Sequence, residues 1–230
     1  LNREVALRNI QHLCPSLSVV LINTYREDID LFVDGATLLS TEGTTQGDPL
    51  AMAMYGIGIL PLIKKLQNCD VTQAWYADDA AAAGSTANIR CWWDMITKAG
   101  PMFGYYPNAS KTHLIVKQEY VQSANDLFDG TGITVIADGD RYLGAAIGTR
   151  TYIEQYVKNK ITEFVGEVKI LSAFALTQPH AAYSAFCHGL IGKWTYLART
   201  IPHSSELFKP LEDAIRTIFL PSLTGQSPFN

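Results

Sequence analysis

The sequence holds 230 residues, 47% hydrophobic and 17% charged, which is enough apolar material for a sizeable core in one large domain or two small ones. A net charge of −4 weighs against a chain that binds nucleic acid by bulk charge. The longest uncharged run, Pro49 to Ile63, is shorter than the roughly 18 residues of a membrane span and is interrupted by Gly56, Gly58 and Pro61. The opening LNREVALRNI lacks the apolar core of a signal peptide, and Cys14, Cys69, Cys91 and Cys187 are scattered without a C-x-x-C pair. These features predict an intracellular protein, cytoplasmic or nuclear, whose cysteines are reduced core thiols rather than zinc ligands or a disulfide framework. The five histidines show no metal spacing either.

Val5 to Asn23 carries apolar residues near helical spacing and predicts a helical region broken at Pro15. Leu31 to Leu39 predicts a hairpin turning at Asp34-Gly35. The loop STEGTTQGDPL follows, with Gly43 and Gly47 for flexibility, Asp48 suited to cap a helix and Pro49 to its first position. The helix expected from Pro49, PLAMAMYGIGILPLIKKLQ, is apolar nearly all round, which predicts burial, and Lys64 and Lys65 complement its dipole. A glycine loop opening onto a helix N-terminus offers free N–H groups to a phosphate.

Next, QAWYADDAAAAG sets Asp78 and Asp79 between runs that fit strands, predicting a hairpin with acid at its tip. Ile89 to Lys98 predicts a helix that stops at Gly100-Pro101, and FGYYPNASKTHLIVK a turn leading into a strand over Leu114 to Val116. ITVIADGDRYLGAAIG predicts two strands, Ile133 to Ala137 and Tyr142 to Ile147, joined at Asp138-Gly139. Beyond Thr149 the pattern is helical alone, with Ile153, Tyr156, Val157, Ile161, Phe164, Val165 and Val168 at helical spacing and further helices from about Pro179 and over Leu207 to Leu220. That shift near residue 150 is the expected domain boundary, and the mixture gives an α+β class.

Charge is unevenly spread. Residues 1 to 140 carry 9 Lys and Arg against 16 Asp and Glu, a balance of −7, while residues 141 to 230 carry 9 against 6, a balance of +3. An acidic first part concentrates cations, and a mildly basic second part follows a phosphate backbone. Adjacent acids at a turn are ordinary solvated chemistry, and they are also a donor set for Mg²⁺, which takes oxygen ligands at about 2.0–2.1 Å from one or two carboxylates plus substrate phosphates. The pair by itself is compatible with both.

In chain order, EGTTQGDPLAMAMY, WYADD, GPMFGYYPNASKTHLIVK and RYLGAAIG resemble the successive palm motifs of reverse transcriptases of the retroelement type. The resemblance implies a fragment of an RNA-directed DNA polymerase of a retrotransposon-like element. Its implied fold is α+β, with a polymerase palm-like antiparallel sheet packed on helices over residues 1–149, lacking the first catalytic strand, and an all-helical thumb-like region over 150–230. By position it places Gln46, Gly47, Asp48 and Pro49 beside the incoming nucleotide and template, with Tyr76, implied also to bind nucleotide or template by walling the site below the primer end, and Asp78 and Asp79 in the acidic turn. Gly104, Asn108 and Lys111 are expected near the triphosphate, and Tyr142, Leu143 and Gly144 under the primer end. Asp78 and Asp79 are the implied catalytic metal ligands, Asp78 the main one, and Lys111 the implied cation that neutralises charge on, or protonates, the leaving pyrophosphate.

The implied cofactors are two Mg²⁺ ions about 3.5–4 Å apart, with Mn²⁺ as an alternative. The implied partners are RNA template, DNA primer, dNTP and the missing fingers and first palm strand of the same polyprotein, with no membrane. The family also uses an Asp at the end of an earlier strand, and LNREVALRNI resembles the helix after that strand; Glu4, Asp28, Asp30 and Asp34 lack its context. The expectation is therefore a chain that does not polymerise DNA alone. The alternative is an inactive relic, or a nucleic-acid- or partner-binding module with a palm-like fold; a nucleotide cyclase has less use for a basic helical tail.

Overall fold

Asn2 starts the first helix by accepting the Val5 N–H on its side chain at 3.0 Å. In the computed structural model, which describes residues 1–225, this helix, α1 (Arg3–Leu13), is followed by α2 (Pro15–Tyr25), with the predicted break at Cys14 and Pro15 in the first helical turn. The chain divides into two units, Leu1–Thr112 with Ser123–Ile133, and His113–Gln122 with the chain from Thr134 onward.

In the first unit β1 (Ile29–Val33) pairs antiparallel with β2 (Ala36–Ser40) through Asp34-Gly35, whose φ values are +48° and +77°. α3 (Ala51–Leu66) packs its Met54 with Ala6, Leu7 and Ile10 of α1 and Leu21 and Tyr25 of α2. The crossing of α1 and α3 depends on Gly58, because a Cβ there would lie 2.8 Å from the Ala6 Cβ. β3 (Thr72–Tyr76) and β4 (Asp79–Ala83) form the acidic hairpin, with Tyr76 opposite Asp79. α4 (Thr86–Ala99) is capped by the Ser85 side chain and buries Trp92, Trp93, Ile96 and Ala99.

The second unit holds β5 (His113–Ile115), which pairs in parallel with β6 (Thr134–Ile136), and the antiparallel pair β7 (Gly139–Tyr142) and β8 (Ala145–Gly148). This corrects the expected hairpin at Asp138-Gly139. The turn is Leu143-Gly144, with φ +48° and +81°, the positive pair that a two-residue hairpin turn requires. Gly139 instead faces Gly148 at the open end of that ladder, and the Ile133–Ala137 segment is taken up by β5. A short helix without a clear apolar period, α5 (Val121–Leu127), lies mostly in the first unit and is not among the predicted elements.

From residue 150 every described element is helical. α6 (Arg150–Ala175) is capped by Thr149 and supplies Val157, Ile161, Phe164 and Val168 to a core shared with Leu197, Leu211 and Phe219. α7 (Pro179–Ala185) runs into α8 (Ile191–Thr200) through a π-helical turn at Phe186–Leu190. α9 (Lys209–Ala214) runs into α10 (Leu220–Thr224) through a second one at Ile215–Phe219. The two π turns meet where Phe186 stacks on Phe219, with ring centroids 4.5 Å apart and planes 20° from parallel.

The fold is thus α+β, and the expected antiparallel pairing exists as three separate hairpins, each closed by a two-residue turn, beside one parallel pair. No described helix is long and apolar enough to cross a membrane.

Candidate functional site

The loop that leads into α3 is held at both ends. Arg3, only 6% exposed, donates from Nε to the Gly43 carbonyl at 2.9 Å and from its guanidinium to the Ser40 carbonyl and hydroxyl, while its head lies over the Tyr25 ring at 5.6 Å. The buried Tyr25 hydroxyl donates to the Asp48 carboxylate and accepts the Thr45 N–H at 3.2 Å. That hydroxyl first, and the Leu50 N–H second, hold the Asp48 carboxyl below the usual carboxylate range. Burial first, then the Asp48 partner, push the Tyr25 phenol upward.

These bonds correct the expected start of the helix. Asp48 closes a turn onto the Leu50 N–H at 2.8 Å and its own carbonyl accepts the Ala51 N–H at 3.1 Å, so Pro49 stays in the turn and α3 begins at Ala51. Gln46, Gly47 and Pro49 are exposed, with Gly47 at φ +94°.

At the hairpin tip the two turn residues are Ala77, with φ +52°, and Asp78; Asp79 is already the first residue of β4. Asp78, Asp79 and Tyr76 are all exposed. The Asp78 carbonyl accepts from the Tyr105 hydroxyl at 3.0 Å, and the Tyr105 ring meets Trp75 edge-on at 5.3 Å. One turn into α3, burial and then the charge of Asp78 push the Tyr55 phenol up to about 12. The acidic tip therefore lies within electrostatic reach of the helix that the Gln46–Pro49 loop opens.

Gln73 ties this hairpin down. Its Nε2 donates to the Ile63 carbonyl of α3 at 2.9 Å, and its Oε1 accepts from Trp75 at 3.0 Å and from Trp92 of α4 at 3.3 Å.

The third segment is built for close backbone approach. Gly104 has φ +68°, and a Cβ there would fall 2.4 Å from the Asn2 nitrogen. The neighbouring Phe103 carbonyl accepts the Asn2 N–H at 2.9 Å. Asn108 spends its side-chain oxygen on the Ser110 N–H and hydroxyl, at 3.1 and 2.8 Å, and so shapes the turn. Lys111 ends that turn, exposed, with no ion pair or side-chain hydrogen bond among the described residues.

In the second unit the Tyr142–Leu143–Gly144 turn is clamped by tyrosines. The Tyr196 hydroxyl of α8 donates to the Leu143 carbonyl and that of Tyr156 on α6 donates to the Gly144 carbonyl at 2.9 Å. Sequence reasoning passed over Arg3, Tyr25, Tyr55, Gln73, Tyr156 and Tyr196 as site-building residues. Tyr55, inside the quoted EGTTQGDPLAMAMY, was within reach of the motif reading; the others act through partners far along the chain.

Among the described residues no three His, Cys, Asp or Glu side chains converge in a way that encloses a metal. Asp78 and Asp79 offer two exposed carboxylates that accept no side-chain hydrogen bond among those residues, oxygen groups of the kind that Mg²⁺ takes as ligands. No family model, no curated protein and no solved structure matches the chain.

Proposed function

We propose that the chain is a palm-like and thumb-like piece of an RNA-directed DNA polymerase from a retrotransposon-like element. One observation carries the reading: exposed carboxylates stand in and directly after a two-residue turn whose Ala77 is left-handed, and burial and then the Asp78 charge raise the Tyr55 phenol on the helix opened by the Gln46–Pro49 loop. In this reading Asp78 and Asp79 hold Mg²⁺ or Mn²⁺, which supplies neutralisation of charge at the transferring phosphoryl group. Gln46 and the Gly47 backbone meet the nucleotide, and Asp48, engaged by Tyr25 and Leu50, keeps their loop in place. Lys111 brings an unpaired cation to the leaving phosphates. Gly104 and Asn108 set the path of that lysine, and Tyr142, Leu143 and Gly144 support the primer end. RNA template, DNA primer and dNTP are the partners.

A second reading, a nucleic-acid- or partner-binding module without metal chemistry, is favoured by the lack of a three-ligand cluster among the described residues. Binding measurements separate the two. Under the polymerase reading the chain binds an RNA–DNA hybrid with affinity that falls as salt rises, and it binds dNTP only with Mg²⁺. Asp78→Asn and Asp79→Asn abolish the dNTP binding while circular dichroism stays unchanged. Hybrid binding with dNTP binding indifferent to Mg²⁺ and to both substitutions leaves the second reading in its nucleic-acid-binding form, and binding of neither ligand refutes the polymerase reading and leaves the partner-binding form.

A further inference from the structure

We propose that Cys69 and Cys91 are a redox-sensitive pair that a peroxide converts to a disulfide, closing the acidic hairpin into a covalent loop. Their Sγ atoms lie 2.8 Å apart, against about 2.05 Å for a sulfur–sulfur bond. Cys69 ends the helical turn Gln67–Cys69 that follows α3, and Cys91 lies in α4. The chain between them contains β3, the Ala77-Asp78 turn and β4, so the bond would tie the base of the hairpin. No other two cysteine sulfurs touch among the described residues, which leaves Cys14 and Cys187 as internal controls. The inference stands on this geometry and is independent of the polymerase reading.

Exposure orders the chemistry. Cys91 is exposed whereas Cys69 is 4% exposed, so an oxidant from solvent meets Cys91 first. Burial, and then the neighbouring Cys91, push the Cys69 thiol up to about 11, so it carries a proton at neutral pH that the hydroxide leaving Cys91 can take up. The Cys91 sulfur, as thiolate, attacks one oxygen of a hydroperoxide and breaks the O–O bond; the other oxygen leaves and takes up the proton that Cys91 gave. Cys91 is then a sulfenic acid. The Cys69 sulfur attacks the Cys91 sulfur, the S–O bond breaks, and the hydroxide leaves as water with the Cys69 proton. Two thiols have lost two electrons and one peroxide has gained them.

The test uses the whole chain, reduced and then exposed to hydrogen peroxide, with free thiols alkylated and the protein digested without reductant. The expected product is one linked peptide pair joining Cys69 to Cys91, lighter by two hydrogens, with Cys14 and Cys187 alkylated, and dithiothreitol reverses it. In Cys69→Ser, dimedone traps Cys91 as its sulfenic acid; in Cys91→Ser, Cys69 stays alkylatable after peroxide. Wild-type mapping needs neither variant, so it decides the matter even where a serine at the buried position prevents folding. Recovery of both Cys69 and Cys91 as free alkylated thiols overturns the proposal, as does a bond from Cys91 to Cys14 or Cys187.

Discussion

Ala77 holds a φ of +52° between Tyr76 and Asp78, a conformation that costs an L-residue about 1–2 kcal/mol. The strain turns the chain within two residues, so Asp78 lies in the turn and Asp79 on the strand rather than on opposite faces of one strand. The side-by-side acids were plain in the sequence; their unequal surroundings were not, because Tyr55 lies 23 positions before Asp78. Tyr55 reports on that geometry. Its phenol is raised to about 12 by burial and then by Asp78, so relative to an unfolded tyrosine near about 10 its contribution to stability is complete below that pH and is lost as pH rises through the folded value. In Asp78→Asn the Tyr55 transition moves down toward, and stays above, the ordinary tyrosine value, because burial remains. Phenolate absorbance, taken as the difference from Tyr55→Phe in each background, checks it, and an unmoved transition would place Asp78 out of reach of Tyr55.

At the scale of elements, part of the local turn chemistry was legible. Asp34-Gly35 turns its hairpin because it acts on residues within a few positions, whereas Thr149, which caps α6, is not among the predicted caps. Misreadings arose where a local signal was claimed by something distant. Asp48 looked like a helix cap, and Tyr25 engages it from 23 positions away; Asp138-Gly139 looked like the turn, and Leu143-Gly144 closes the ladder instead. The acidic hairpin has its own distant anchor in Gln73. Replacing Gln73 with Leu leaves the Ile63 carbonyl and the Trp75 and Trp92 indoles without this partner, at a cost of about 3 kcal/mol. Urea denaturation measures it, and a loss under about 0.5 kcal/mol would mean that water serves all three groups equally well.

On the scale of the whole molecule, each of the two units has, among the described residues, a set of buried side chains of its own. One gathers Ala6, Leu7, Ile10, Leu21, Tyr25 and Met54, and the other is built on α6 with Leu197, Leu211 and Phe219. Phe219 is fully buried and stacks on Phe186 at the meeting of the two π turns, so Phe219→Ala removes about 3–5 kcal/mol. Hydrogen exchange should then quicken through α6 to α10 while α1 to α4 keep their protection. Equal loss in all of these helices would show that the two cores open together.

By itself the sequence determined what neighbours along the chain decide: the class of the fold, the hairpin turn at Asp34-Gly35, the apolar stripe of α6 and the acidic tip at Asp78 and Asp79. Those features follow from backbone preference and short-range hydrogen bonding, which residues a few positions apart settle. The tertiary structure alone decided that Arg3 would hold Ser40 and Gly43, that Tyr25 would hold Asp48, that Gln73 would join α3 to α4 and that Cys69 would meet Cys91. Each of these joins groups far apart along the chain, and such a bond forms only where packing has already brought the two segments together.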